Sequence, residues 1–264
     1  MIYNGVYMGY FIETNNLFEV ENVKWNFIEK VYVISLEHRD DRRLILHENL
    51  KRIGIQKVCY FIPIRYPKLS LLDKKRLNGI FYNNLNSEPL NPTVIACFIS
   101  HLICYKEAFK NVEKNCMILE DDCVIRDIPD TMYNIIEKFL LSEKYAALYM
   151  HHAKLPPRFN FHRLIRNGFL GSFDFKRLEI ETKYPGIRVF LGVGLAHCII
   201  FSKEHLKVLN LLKIKCPRGI GKNLDYILHR QGRKYAFYTT QTQFTTQLPG
   251  MSDITNTITK KGFS

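Results

Sequence analysis

Val31-Tyr32-Val33-Ile34-Ser35-Leu36 is a run of β-branched and aromatic residues, and a helical pattern follows it at once. Asp40 is placed to cap that helix, Leu46, Leu50 and Ile53 recur at spacings of four and three, and Gly54 ends it. A second strand pattern occupies Lys57 to Ile62. Two apolar strands joined by so short a helical crossover pair side by side and parallel, so this opening predicts an open, mostly parallel α/β sheet. Few other architectures accept such a start.

The remainder extends the same alternation. Asn91-Pro92 opens a long helix through Ile95, Ile99, Leu102 and Ala108 to about Val112, with Asn91 as cap and Pro92 in the first turn. It leads into Cys116-Met117-Ile118-Leu119-Glu120-Asp121-Asp122-Cys123, an apolar run of strand character that ends in three acids. A helix over Asp130–Leu141, strands at Ala147–Met150, Val189–Leu191 and Ala196–Phe201, a helix capped by Ser202, a short helix beginning at Asn223 or Asp225, and a last strand at Tyr235–Thr240 complete the pattern. Leu69 to Leu77 suggests a further short helix, and the Asn-rich segment around 83–89 reads as loop. Residues 1–28 form an N-terminal arm or extra strand, 29–250 a single main domain, and 251–264 a loose, polar tail.

With 264 residues, 47% hydrophobic and 24% charged, the chain can bury a substantial core and is not a disordered polymer. No apolar run approaches the roughly 18–20 residues of a membrane span. The first residues lack a basic segment, an apolar stretch and a cleavage site, so a cytoplasmic location is expected. Seven cysteines, none in a CxxC pair and most inside apolar runs, read as buried free thiols and indicate neither disulfides nor a zinc knuckle. The net charge of +13 calls for an anionic partner. Its excess is concentrated where Lys154, Arg158, Arg163, Arg166, Lys176, Arg177, Lys183 and Arg188 face only Asp174, Glu179 and Glu181.

Carboxylates crowded at the end of a buried strand repel one another unless a cation intervenes, and hard divalent ions take oxygen ligands. Glu120, Asp121 and Asp122 are therefore candidates for a Mg²⁺ or Mn²⁺ site, the alternative being a solvated turn. Arg39, Arg42 and Arg43 stand where a strand ends and a helix starts, a place that suits a phosphate or nucleotide. Ser100-His101 lies within an apolar helix, and Asp225 begins a helix.

Taken in order, Leu36 with Arg39–Arg43, Phe98-Ile99-Ser100-His101, Leu119-Glu120-Asp121-Asp122 and the late Asp225 resemble glycosyltransferase family 25, which includes lipooligosaccharide transferases and collagen galactosyltransferase domains. Thr93-Val94-Ile95-Ala96 stands where that family usually carries a glycine-containing turn. The resemblance implies a GT-A-type, Rossmann-like, mostly parallel sheet flanked by helices, and metal-dependent, inverting transfer of a sugar from a nucleotide-sugar donor, a UDP-hexose such as UDP-galactose or UDP-glucose. It implies a saccharide, lipid-linked or protein glycan acceptor, with peripheral contact to an anionic membrane as a further expectation. Under it, Asp122 and Glu120 hold Mn²⁺ or Mg²⁺, and Ser35, Leu36, Arg39, Arg42, Arg43, Ser100, His101 and Asp121 serve the donor. Asp225 is then the catalytic base. The alternative from another class is a basic nucleic-acid-binding protein; without aromatic residues interleaved among the lysines, nucleic acid is not the expected partner.

Overall fold

In the computed structural model the described residues are 2–3, 6–14, 24–55, 57–65, 68–72, 92–143, 145, 147–150, 182–189, 198–204, 237–248, 250–251 and 258–259. The opening expected from the sequence is present. After the N-terminal strands β1 (Ile2–Tyr3), β2 (Val6–Tyr7) and β3 (Gly9–Thr14), strand β4 (Lys30–Ile34) leads into helix α1 (Asp40–Arg52) and then into β5 (Val58–Pro63), which lies parallel to β4. Arg39, not Asp40, occupies the cap position of α1 and its side chain makes no capping bond; Asp40 and Asp41 instead fill the first turn, where acids favour the helix dipole. At the other end Gly54 adopts φ 86°, its N–H bonds Lys51 O, and the next N–H, Ile55, reaches back to Leu50 O. This 5→2 and 6→1 pair closes the helix, and a side chain at Gly54 would strain it.

Helix α2 (Pro92–Asn111) then carries the chain back across β4 to β6 (Asn115–Glu120), parallel to β4 on its other side. Asn91 lies outside the described residues. Lys203 donates to Val112 O at 2.6 Å and also to Phe109 O, so an ammonium satisfies the carbonyls at the end of α2. After β7 (Cys123–Ile125), α3 (Asp130–Ser142) and β8 (Ala147–Tyr149), the strands β9 (Ile187–Val189), β10 (Cys198–Ser202) and β11 (Phe237–Thr240) complete the sheet. Its order, with β3 (Gly9–Thr14) at one edge, is β3-β5-β4-β6-β10-β8-β11-β9.

The sheet is mixed, not mostly parallel. The pairs β4·β5, β4·β6 and β8·β11 are parallel, whereas β3·β5, β6·β10, β8·β10 and β9·β11 are antiparallel. The parallel expectation rested on the helical crossover after β4, and that logic does not govern strands reached by other connections. Ser202 ends β10 and donates to Tyr145 O at 2.7 Å; helical residues Lys203 and Glu204 follow it at once, and the rest of the helix expected there lies outside the described residues. Ile258–Thr259, within the tail expected to be loose, pair with Gly250–Met251. The helix anticipated from Leu69 to Leu77 falls mostly outside the described residues.

Strand periodicity divides the core. Tyr32, Cys59, Phe61, Cys116, Ile118, Tyr149, Ile199 and Phe201 face α2, which contributes Ile99, Leu102, Ile103 and Tyr105. On the other face Val31, Val33, Val58, Met117, Leu119, Leu148 and Ile200 pack with Leu46 and Leu50 of α1 and Ile136 and Phe139 of α3. Leu46 and Leu50 are fully buried, each contributing about 1.5–3 kcal/mol. Because α1 and α2 cover opposite faces, strand order reverses between β4 and β6, and the crevice beyond their carboxyl ends is where open α/β sheets receive ligands. Among the described residues no helix is long and apolar enough to cross a membrane.

Candidate active site

Parallel register places Ile34 opposite Glu120, so the segment after β4 and the three acids after β6 emerge side by side. The Asp121 N–H bonds Ile34 O at 3.1 Å and locks the two strand ends together. The Asp121 carboxylate turns inward. It accepts from Ser35 Oγ at 2.8 Å and from Arg42 Nη1 at 3.2 Å, with both charged side chains only 9% exposed. Burial pushes the Asp121 carboxyl above its ordinary value, opposed by the Ser35 hydrogen bond and the Arg42 charge.

Arg43 acts as a strut for the same loop. Its guanidinium bonds Ser35 Oγ at 3.0 Å, Leu36 O at 2.5 Å and Glu37 O at 2.9 Å, and it pairs with Asp40 one turn away. Arg39 Nε lies 3.2 Å from Asp41. Thus Arg42 and Arg43, expected from sequence to meet phosphates, engage the protein's own acid and carbonyls, because the β4 register brings those groups within their reach. Ser35 and Leu36 belong to that same network.

Glu120 and Asp122 flank the neutralised Asp121 and remain partly exposed, at 23% and 19% of their side chains. Glu120 Oε1 lies 3.0 Å from His101 Nε2 and 3.8 Å from Cys97 Sγ, both on α2. His101 is fully buried and, among the described residues, its Nδ1 has no hydrogen-bond partner. Ser100, expected beside the donor, donates instead to Ala96 O at 2.8 Å within its own helix. Asp122 Oδ2 accepts from Gln247 Nε2 at 3.2 Å and lies 3.8 Å from Arg42 Nη1, while the Asp122 carbonyl accepts the Leu248 N–H at 2.7 Å. Gln247 ends β12 (Thr245–Gln247), which pairs antiparallel with β7, and Leu248 follows it directly.

Two contributors escaped sequence reasoning. Cys97 stands four residues before His101, one helical turn, and that spacing was the available signal. Gln247 gave none, since only the β7·β12 pairing brings it to Asp122. Asp225 and most of the basic stretch at 154–188 lie outside the described residues. Of that stretch Lys183 is described, paired with Glu143 at 2.7 Å, and Arg188 lies on β9.

A family model described as "Glycosyltransferase family 25 (LPS biosynthesis protein)" matches residues 28–180, more than half of the chain. The chain belongs to glycosyltransferase family 25. The match takes in the β4 end, α2 and the three acids, so the geometry above lies in the part that carries the family pattern. Membership implies transfer of a sugar from a donor to a saccharide acceptor, with metal use a possibility of the family. No curated protein matches the chain. A solved structure, "Crystal Structure of A197 from STIV", is similar at 14% identity and a TM-score of 0.41, over 83% of this chain and 85% of that one.

Proposed function

We propose that this family 25 member is a GT-A-type, inverting transferase that moves a hexose from a nucleotide-sugar donor such as UDP-galactose or UDP-glucose to a glycoconjugate acceptor, with a divalent metal at Glu120 and Asp122. The observation that carries the reading is the end of β6, where two partly exposed carboxylates flank a third that is buried and paired with Arg42. A site meant only as a turn would not need a buried guanidinium and a hydroxyl committed to its middle acid.

The donor set fits a hard cation. Glu120 and Asp122 offer carboxylate oxygens, the ligand type that Mg²⁺ and Mn²⁺ prefer, and Gln247 holds the Asp122 carboxylate in place. Such an ion, when bound, neutralises the charge that develops on a leaving diphosphate. Ser35, Arg42 and Arg43 fix the loop after β4, so the strand-end backbone is rigid before a donor arrives. Arg39 remains the arginine of this loop assigned to donor phosphates, and His101 braces Glu120. Proton removal from the acceptor hydroxyl is assigned to Asp225 on the strength of the family resemblance. The basic excess at 154–188 suits an anionic acceptor or a membrane surface that displays one, with the enzyme on the cytoplasmic side. The family match lends no support to the nucleic-acid alternative.

Thermal unfolding with UDP and Mn²⁺ tests the donor assignment. Together, at about a hundredfold over their dissociation constant, they stabilise by about 2.7 kcal/mol through linkage, and each alone does much less. Asp122→Ala abolishes the metal-dependent part. If no nucleoside diphosphate shifts the transition of the wild-type protein, the donor assignment is wrong.

A further inference from the structure

Cys97 and His101 project from the same side of α2, one turn apart, toward Glu120 at the end of β6. Sγ and Nε2 approach the same oxygen, at 3.8 and 3.0 Å, and the ligand atoms of all three residues lie within 4.8 Å of one another. A thiol, an imidazole and one carboxylate form a softer donor set than the Glu120–Asp122 pair. Thiolate and imidazole select zinc-like ions over Mg²⁺ and Mn²⁺. We propose that Cys97, His101 and Glu120 form a second cation site, specific for a thiophilic divalent ion of the zinc type, with a fourth coordination position left open.

The donor separations lie near those that a zinc ion would require. Zinc bonds to S, N and O at tetrahedral angles set the donors about 3.4–3.6 Å apart. The His101–Glu120 separation must therefore open by a few tenths of an ångström, the Cys97–Glu120 separation must close by about as much, and the Cys97–His101 separation, at most 4.8 Å, must close to the same range through side-chain torsions. Binding through Sγ and Nε2 requires the Cys97 thiolate, whose proton goes to solvent, and the His101 tautomer that carries its proton on Nδ1. That nitrogen has no acceptor among the described residues, so the affinity is about 10–100-fold below that of a site whose histidine is oriented by one.

The proposal does not depend on the sugar-donor reading, since the triad would bind zinc in a protein that transferred nothing. The two readings meet at Glu120. An ion held by the triad withdraws that carboxylate from a hard cation, so zinc would oppose Mn²⁺ there.

Co²⁺ titration of the full chain, without nucleotide, tests the site. The expected result is one equivalent bound with a thiolate-to-cobalt charge-transfer band and the strong visible bands of tetrahedral cobalt. Zn²⁺ displaces it and a large excess of Mg²⁺ does not. Cys97→Ser loses the charge-transfer band, and Glu120→Gln weakens binding about tenfold or more. Cys97 is only partly buried, so its serine variant folds and carries the test even if the fully buried His101 tolerates no change. Absence of the band in wild type, its persistence in Cys97→Ser, or displacement by Mg²⁺ as readily as by Zn²⁺ would overturn the proposal. None of these outcomes alters the response to UDP and Mn²⁺ expected of the donor site, so the two readings fail separately.

Discussion

Replacing Arg42 with methionine isolates the charge that lets Asp121 sit beneath the strand ends. The methionine occupies similar volume and leaves the buried carboxylate with Ser35 as its remaining side-chain hydrogen-bond donor. Breaking a buried pair by deleting one partner costs about 3–5 kcal/mol, and both side chains here are 9% exposed, so solvent relieves little of it. At about 2–4 °C per kcal/mol for a chain of this size, the melting temperature falls by roughly 6–20 °C. The pH dependence follows from sign. Burial already raises the Asp121 pKa, so the folded state favours the protonated acid, and this group's contribution to stability declines as pH rises through the folded value. Arg42 opposes that rise. Its removal moves the pKa higher, and the loss of stability is therefore larger near pH 7 than near pH 4. Urea unfolding at both pH values, with Arg42→Met, Asp121→Asn and the double variant, measures the effect. The asparagine can still accept from Ser35, so the double variant recovers at least about 2 kcal/mol relative to additivity. A loss below about 1 kcal/mol in Arg42→Met, or a double variant no better than the single, would refute a buried charge pair at this position.

Asn49 imitates a strand neighbour: its amide donates to Ile125 O and accepts the Ile125 N–H, both at 2.8 Å, tying α1 to β7. Asn49→Ala orphans the buried Ile125 N–H, whereas Ile125 O keeps Arg52 Nη2 at 3.1 Å, and costs about 1–3 kcal/mol, seen as a lower urea midpoint with unchanged slope. At Gly9 φ is 147° and an added Cβ would stand 2.2 Å from Ile62 O, so Gly9→Ala loses about 1–3 kcal/mol from backbone strain alone, before the clash; an unchanged melting temperature would contradict the β3·β5 packing. Asp225→Asn is expected to keep the stabilisation by UDP and Mn²⁺ while losing transfer, and a fully active variant removes Asp225 as the base.

Much of the fold was legible because it depends on short-range patterns. The run Val31–Ile34 alternates between two covered faces, and Leu46 with Leu50 marks the buried side of α1. Gly54 announced its own helix stop through a backbone conformation that other residues resist. Strand direction was less legible. The antiparallel β6·β10 and β3·β5 pairs join segments far apart in the chain, and nothing in the sequence of β10 or β3 encodes which neighbour it will face. The same holds for Gln247, carried to Asp122 by a pairing of strands more than a hundred residues apart.

The acids illustrate the division most clearly. Local sequence determined that Glu120, Asp121 and Asp122 would stand at the end of a buried strand, because an apolar run must be covered and its polar end must emerge. Which carboxylate faces a ligand and which turns inward was decided by tertiary structure. Parallel register set Ser35 and Arg42 under Asp121, while α2 brought Cys97 and His101 to Glu120 and β12 brought Gln247 to Asp122. Three chemically similar neighbours thereby acquire different partners, since a side chain's electrostatic environment is set by the groups nearest in space and not by those nearest along the chain.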